Sequence, residues 1–474
     1  MSSIVPPVNV AVARPHLAAT SVAACVAAVA VLQTLSIPLL PALSEAFDAS
    51  IASVSWVATS TLIVGAAANP IVGRMGDMYG KRRLLLACLG AAVVGCVVAA
   101  TAGSLLVVVA GRAIQGLGSG VIPLAYGIVR DQVPSRHLGR SVALVTAAGA
   151  GVGGGLGPVV MGLVVSGYGW RASFWLTGLL LLVAMVLVIV TIRVPGPRFP
   201  ARFDVAGAVV LAGALVILLL AITNGSSWGW TSPAVVALVV AAAVLVTWWL
   251  RWERSRSEPM VDLVVNGRGP VLLAHLGGVM VGWATFAQFI TSFTLVALPK
   301  EAGHGLGRSL AVAGLVQLPG AMVLIAAVTT TTRISARRGS AALLRISAAT
   351  IVAGFGLAFL RHESLWDVAL SVCVVSAGLG IGQCAVPVMV LEHVRPAQTA
   401  AVNAVSALAR VVGSVVASAL VTTVMAAGAV VVAGMERPAE WTFQVSYALG
   451  AVPAVTVGLL GWRAERLALA PNSS

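Results

Sequence analysis

The chain has 474 residues, of which 59% are hydrophobic and only 9% are charged. A soluble protein needs far more charge to cover its surface, so this composition excludes a soluble globular protein and predicts a polytopic membrane protein. The net charge of +14 is carried mainly by short segments between apolar runs, which is a positive-inside bias rather than a nucleic-acid-binding stripe.

The sequence lacks the motifs that several classes of protein need for their function. No run of the form G-x-x-x-x-G-K-[ST] occurs, which argues against an ATP-driven pump. The cysteines, at positions 25, 88, 96, 373 and 384, lie inside apolar runs without metal-ligand spacing. No nucleophile–base pair or cofactor loop is visible. We therefore predict that the protein is not an enzyme, has no metal or cofactor, and has no nucleic-acid partner.

Apolar runs of membrane-spanning length recur along the whole chain. Counting Lys and Arg with the amino terminus inside puts about 22 in cytoplasmic segments and about 5 outside, so both termini are predicted to be cytoplasmic. The 14 predicted spans cover roughly residues 17–41, 53–73, 83–102, 104–129, 140–166, 171–193, 204–224, 233–250, 270–298, 309–331, 340–360, 367–391, 400–429 and 441–462.

A glycine- and arginine-rich stretch, Gly73–Arg83, separates the second and third spans. Its four basic residues and one acid predict a short cytoplasmic loop. Glycines let two helix ends turn tightly and approach closely. Asp77 is suited to accept hydrogen bonds from the amide groups at the amino end of a helix.

The fourth and fifth spans carry unusual residues. Arg112 lies within the fourth span, where an arginine in hydrocarbon costs from about 3 to over 10 kcal/mol. It must face a wet cavity or a partner, or be held by backbone carbonyls. In the fifth span, glycines 149, 153 and 157 make one smooth face for close helix packing. Pro158 removes a backbone hydrogen bond and predicts a bend.

Polar and aromatic side chains mark the later spans. Trp283, Phe286, Gln288 and Phe289 place rings and an amide near the middle of the ninth span, as apolar ligand sites do. Hydrogen bonding between helices is an equally good reading of such amides. His275 is the titratable group nearest to a cavity, although a lone histidine flanked by apolar residues is more often structural.

The chain also repeats itself weakly. Gly139–Pro158 aligns with Thr399–Ser418 without a gap, and Arg333–Gly339 stands where a second copy of Gly73–Arg83 is expected. Parallel repeats of this kind are typical of transporters built from two six-helix halves. We predict a first six-helix bundle over 1–195, two linker helices with an amphipathic linker over 196–266, and a second six-helix bundle over 267–474.

Four stretches together resemble the major facilitator superfamily of transporters. They are G-x-x-x-D-x-x-G-K-R at 73–82, R-A-x-Q-G at 112–116, the glycine-rich run to Gly162, and W-E-R-x-R-x-x-P-M-V-D-L at 252–263. The last one and the span count resemble the 14-helix drug:proton antiporter branch. The resemblance implies an all-α fold, alternating access, and export of a lipophilic or amphiphilic small molecule in exchange for protons across a bacterial cytoplasmic membrane. The sequence carries no signal for an oligomeric state, so a monomer is expected by default.

The resemblance also implies roles for single residues. A conformational latch would comprise Gly73, Asp77, Gly80, Lys81, Arg82, Arg83 and Asp131, with Arg82 or Arg83 pairing with Asp131. Coupling would involve Arg112, Gln115 and His275. The antiporter motif would be Gly149, Gly153, Gly157, Pro158 and Gly162, sealing the halves against leak. The substrate cavity would comprise Gln33, Thr34, Trp283, Phe286, Gln288, Phe289, Gln317, Gln383, Asn403 and Arg410.

One position departs from that branch. Gln33 stands where its members carry an aspartate in the first span, and a glutamine does not exchange protons. The missing acid argues against multivalent cations as substrates, and Arg112 and Arg410 favour neutral or anionic amphiphiles. An importing or uncoupled carrier of a metabolite stays an alternative, and so does a membrane sensor on the same fold.

Overall fold

The computed structural model describes residues 15–192, 203–256, 258–432 and 435–469 of the chain. Long helices dominate because a chain that crosses a bilayer must satisfy its backbone hydrogen bonds internally. The first part contains α1 (Pro15–Thr34), α2 (Ser36–Phe47), α3 (Ile51–Tyr79), α4 (Lys81–Ala100), α5 (Leu105–Gly116), a 3₁₀ turn (Leu117–Gly120), α6 (Val121–Gln132), α7 (Ser135–Ala147), a π-helix (Ala148–Leu156), α8 (Gly157–Tyr168) and α9 (Trp170–Thr191).

The rest of the described chain is also helical, apart from one antiparallel β-hairpin that the sequence analysis did not predict. It contains α10 (Val205–Trp228), α11 (Pro233–Arg254), α12 (Leu263–Asn266), α13 (Gly269–Ala297), a 3₁₀ turn (Lys300–Ala302), α14 (Leu310–Leu315), α15 (Gln317–Leu360), α16 (Leu365–His393), a 3₁₀ turn (Pro396–Gln398), α17 (Thr399–Ala427), β1 (Ala429–Val432), β2 (Met435–Pro438) and α18 (Glu440–Leu469).

Thirteen segments of the described chain are long and apolar enough to cross a membrane. The predicted fifth span is not among them, because it is divided among α7, the π-helix and α8. Consecutive glycines and Pro158, which lacks an amide hydrogen, account for the interruption of the regular helix. The predicted all-α polytopic membrane fold is confirmed.

The predicted loop at 73–83 is wrong. Residues 73–79 continue α3 as a helix, α4 begins at Lys81, and Gly80 by itself makes the turn between them. Its backbone has φ 107° and ψ 120°, a conformation that a residue with a Cβ rarely adopts. Gly339 (φ 74°) breaks α15 in the same way, at the end of the predicted second copy. The side chains of residues 332–338 lie outside the described part.

The two halves share a hydrophobic core at one end of the molecule. We call this end, where α3 and α4 meet, the Gly80 end. There the core of the first half, around Leu124 and Val129, continues into Cys384 and Leu391 of α16 and Ala400 of α17. At the opposite end, the core around Leu39, Leu43 and Phe174 contains described residues of the first half alone. The halves therefore join at the Gly80 end.

The linker helices α10 and α11 pack beside this junction. Leu211 and Leu215 of α10 and Trp249 of α11 form one cluster with Ile71 of α3 and Leu408 of α17. The linker thus contacts one helix from each half, on the outside of the seam between them.

We expect Gly80→Ala to lower the melting temperature of the purified protein. A side chain in a left-handed conformation costs at least about 1–2 kcal/mol. The measurement is thermal unfolding in detergent followed by fluorescence. The matched control is Gly90→Ala in α4, where a new Cβ meets nothing within 4 Å and where alanine favours the helix by up to about 1 kcal/mol. Equal melting temperatures for the two variants would contradict the interpretation.

Candidate functional site

Asp77 connects the two halves at the Gly80 end. It lies in the last turns of α3 and is fully buried. Its carboxylate accepts hydrogen bonds from the backbone amides of Ala401 (3.0 Å) and Ala400 (3.4 Å), in the first turn of α17. The amino end of a helix carries unpaired amides and a partial positive charge, so it suits a carboxylate. The hydrogen bonding expected for Asp77 is present, and it crosses between the halves.

Lys81 bridges two buried carboxylates. Its Nζ lies 2.9 Å from Oδ2 of Asp131 and 3.3 Å from Oδ1 of Asp77. The predicted pairing of Asp131 with Arg82 or Arg83 is therefore wrong. Arg82 donates instead to the carbonyl of Ile189, and Arg83 is exposed. Lys81 is favoured because it opens α4 one turn after Asp77 and points toward the end of α6.

Glycines make this arrangement compact. A Cβ on Gly73 would lie 2.6 Å from Cβ of Ala404 in α17, and one on Gly127 would lie 2.6 Å from Cδ of Lys81. The first glycine lets α3 and α17 touch, and the second makes room for the lysine stem beside α6. Arg130, which the sequence analysis missed, donates to Oγ1 of Thr399 at 3.0 Å and adds a second polar contact between the halves.

The second half contains a turn like that at Gly80, with some of the same contacts. Ser340 follows Gly339 as Lys81 follows Gly80, and its hydroxyl donates to the carboxylate of Glu392. Glu392 ends α16 as Asp131 ends α6. Both copies thus connect the residue after the turn to an acid at the end of a neighbouring helix. Position 336, which corresponds to Asp77, is an alanine in the sequence.

We expect Lys81→Gln to destabilise the protein strongly. It removes the ammonium that two buried carboxylates share, and breaking a buried ion pair costs about 3–5 kcal/mol. The measurement is the melting temperature in detergent. Arg83→Gln removes the same charge from an exposed position nearby and serves as the control, with an unchanged melting temperature. If Lys81→Gln melts like the wild type, the bridge does not stabilise the fold.

The glycine-rich segment of the first half has two different faces. Gly149, Gly153 and Gly157 pack against Val26, Ala30 and Thr34 of α1, within the same half. This matches the close helix packing that their spacing suggests. The atoms nearest to a Cβ on these three glycines all belong to α1, so the expected seal between the halves stays a prediction for them.

A different glycine of the π-helix meets the second half. A Cβ on Gly151 would collide with Ile325 of α15, whereas one on Gly162 would meet nothing within 4 Å. The sequence spacing of four missed this position because the wider π turns change which residues share a face. Pro158 stands in the first turn of α8, and its side chain lies outside the described part.

We expect valine at Gly153 and valine at Gly151 to affect two different properties, the stability of the first half and the tightness of the seam between the halves. Gly153→Val collides with the backbone of Ala30 and lowers the melting temperature, whereas Gly151→Val collides across the seam and loosens it. Loosening is measured as faster N-ethylmaleimide labelling of Cys384, a buried thiol of the shared core, with the other four cysteines replaced by serine. Gly162→Val is the control for both readouts. Faster labelling in Gly153→Val but not in Gly151→Val would contradict the assignment of the faces.

Arg112 is fully buried and held by backbone carbonyls. Its Nε donates to Val57 at 3.1 Å, and Nη1 donates to Leu32 at 3.0 Å and to Oε1 of Gln115 at 2.8 Å. Gln115 also donates to Sγ of Cys96. This geometry corresponds to the second alternative of the sequence analysis, an arginine held by carbonyls. It ties α5 to α1 and α3, and a coupling role for the pair stays a prediction.

His275 has both ring nitrogens in hydrogen bonds. Nδ1 lies 2.9 Å from Oγ of Ser406 in α17, and Nε2 lies 2.9 Å from Oδ1 of Asn266 in α12. The ring thus fastens the linker segment and α17 to α13. Its coupling role stays a prediction as well, although Ser406 brings it to the edge of the cavity described next.

A small cavity of about 40 Å³ lies in the seam between the halves. Three of the predicted cavity residues, Gln383, Asn403 and Arg410, line it from α16 and α17. Ile122 and Tyr126 of α6 line it from the first half. The sequence analysis missed Tyr126, although a tyrosine inside an apolar span was a visible signal. A cavity of this size holds a few waters, so these faces are close together in this structure.

The other predicted cavity residues do not line this cavity. The indole of Trp283 donates to the carbonyl of Leu449 in α18, Gln317 donates to Ser292, and Phe289 stacks on Phe293. Thr34 donates to the carbonyl of Gly153, inside the first half. The remaining members are half-buried (Gln33, Phe286) or buried with an unpaired Oε1 (Gln288).

Two helical halves that meet around a small cavity lined by polar and apolar side chains are the architecture of a membrane transporter. A sequence profile of the Major Facilitator Superfamily matches residues 22–205 and 205–418, and the chain belongs to this superfamily. The solved structure of the human organic anion transporter MFSD10 is similar in fold, with a TM-score of 0.69 over 94% of this chain and 99% of that one at 16% identity. The proton:xylose symporter XylE has a TM-score of 0.65 at 14% identity, over 94% and 95%.

Curated relatives are more similar in sequence. An uncharacterized MFS-type transporter of Bacillus subtilis is 26% identical over 81% of this chain and 84% of that protein. The tetracenomycin C resistance and export protein of Streptomyces glaucescens is 28% identical over 61% of this chain and 55% of its own length. A multidrug resistance protein B homolog of Mycobacterium tuberculosis is 24% identical over 80% and 70%. The chain thus spans little more than half of the Streptomyces relative.

Proposed function

We propose that this transporter exports antibiotics or other amphiphilic small molecules by alternating access. The names of the relatives, tetracenomycin export and multidrug resistance, support export. The observation that carries the mechanism is the pair of hydrogen bonds from α17 to Asp77, because they join the halves at the Gly80 end. The halves, 1–195 and 267–474, would move as bodies within a monomer, with 196–266 as the linker.

The orientation in the membrane completes the proposal. We place the Gly80 end at the cytoplasmic face of a bacterial inner membrane, and we propose that both termini are cytoplasmic, because the predicted cytoplasmic segments carry the excess of Lys and Arg. The structure then corresponds to a state closed toward the cytoplasm. Substrate would leave from this state, and the Asp77 contact must break before the next molecule enters from inside.

Proton antiport is the proposed driving reaction. The described acids of the spanning helices lie near their ends, and Gln33 takes no proton. Asp77 and Asp131 are buried carboxylates that share Lys81, with Arg130 beside them. A proton on Asp77 would remove the negative charge that attracts the amino end of α17, so protonation would favour opening toward the cytoplasm, where the proton is released.

We expect Asp77→Asn to open the Gly80 end and to reduce transport. Hydrogen bonds to a charged group contribute about 1.5–3 kcal/mol, and an asparagine has one acceptor oxygen where the aspartate has two. Labelling of Cys384 should accelerate by about tenfold or more. Glu45→Gln, at an exposed acid, is the control. Unchanged labelling together with normal transport in Asp77→Asn would remove the latch role of this residue.

Inverted membrane vesicles acidified inside by respiration test the export proposal. Addition of a panel of lipophilic compounds should release protons from the vesicles, as a pH-sensitive dye reports, and vesicles without the protein should not respond. Compound accumulation without proton movement would overturn antiport and support an uncoupled carrier, as Gln33 suggests. Neither signal across anionic, neutral and cationic compounds would contradict export.

A further inference from the structure

Arg410 presents an unneutralised cation to the cavity between the halves. It lies about 16 Å along α17 from Thr399, at 1.5 Å per residue, which is well inside the spanning part of the helix. Within the described part of the chain, its guanidinium has neither a hydrogen bond nor an ion pair. Gln383, Asn403 and Tyr126 share the cavity with it, and no described aspartate or glutamate lines the wall.

The contrast with Arg112 shows what is missing at Arg410. The guanidinium of Arg112 donates to two backbone carbonyls and to the Gln115 amide oxygen, so its burial is compensated within the first half. Arg410 is half-buried at the cavity, where its polar neighbours Tyr126, Gln383 and Asn403 carry no negative charge. A cation that faces a membrane cavity without a carboxylate beside it is suited to an anion from outside the chain.

We propose that Arg410 is the anion-binding residue of the substrate cavity, and that the substrates are amphiphilic organic anions. A carboxylate, sulfonate or phenolate would sit against the guanidinium fork, which suits such groups geometrically. The amide of Gln383 provides a further donor, and Ile122, Val281 and Val386 provide apolar wall for the body of the molecule. The cavity admits the head group alone in this closed state, so the rest of the ligand enters only when the seam opens.

The proposal deepens the proposed function, because it names the class of molecule that the exporter takes. It also separates anions from lipophilic cations, which Arg410 would repel in a medium of low dielectric constant. The test therefore compares two dyes with the same xanthene scaffold, fluorescein, which is anionic at neutral pH, and rhodamine 123, which is cationic.

Binding is measured by fluorescence anisotropy on the purified full chain in lipid nanodiscs. We expect fluorescein to bind at least about tenfold more tightly than rhodamine 123, and Arg410→Gln to weaken fluorescein binding about tenfold or more without weakening rhodamine binding. Arg410→Lys keeps the positive charge without the forked guanidinium, so its affinity for fluorescein should lie between those of the wild type and Arg410→Gln. Arg361→Gln removes one charge from an exposed turn and should bind both dyes like the wild type.

A measurement on the wild type covers the case in which Arg410→Gln does not fold. Unlabelled 1-naphthoate should displace fluorescein, whereas 1-naphthamide, its neutral counterpart, should not. Equal binding of the two dyes, no saturable binding of fluorescein, or equal displacement by the two naphthalenes would overturn the proposal. Vesicles that export rhodamine 123 but not fluorescein would overturn it while leaving export intact. Arg410-dependent binding of fluorescein without transport of any compound would overturn export alone.

Discussion

A single buried carboxylate, that of Asp77, accepts hydrogen bonds across the junction of the two halves of this transporter. It is fully buried, so its charge depends on the first turn of α17, in the other half, and on Lys81. Separating the halves takes away the two amides and leaves the carboxylate exposed to whatever enters the gap. The contact therefore depends on the exclusion of water, which suits the opening and closing that we propose for this end of the molecule.

The two copies of the internal repeat differ in the residues that could form this contact between the halves. Both halves turn at a glycine with positive φ, and both connect the next residue to an acid at the end of a neighbouring helix, Lys81 to Asp131 and Ser340 to Glu392. The first pair is ionic and the second has one charged member, and alanine replaces aspartate at position 336. An ionisable contact across the halves therefore exists in the first copy, which is why we place the proposed protonation there.

The sequence predicted the spanning all-α fold and the acceptor role of Asp77, because hydropathy and residue chemistry determine them locally. It predicted a loop over 73–83, where the structure has two helices joined at Gly80. It did not predict that Lys81 would replace the arginines as the partner of Asp131, because that choice depends on the one-residue turn at Gly80 and on space beside Gly127. The sequence also did not predict which way the side chains on each spanning helix point. A span pattern shows that Trp283 and Asn403 lie on membrane helices, but not that the first points to α18 and the second to the cavity.

The two arginines inside the spans show how one energetic problem is resolved in two ways. Each would be costly in hydrocarbon, and the first half meets that cost with carbonyls of α1 and α3, which makes Arg112 part of its framework. The second half leaves Arg410 facing the cavity, where α13 comes so close that Gly278 and Gly282 lie against its backbone. A compensated cation contributes rigidity, whereas an uncompensated one contributes affinity for an anion. Arg112 is thus a structural arginine, whereas Arg410 is the one that we propose to bind the substrate.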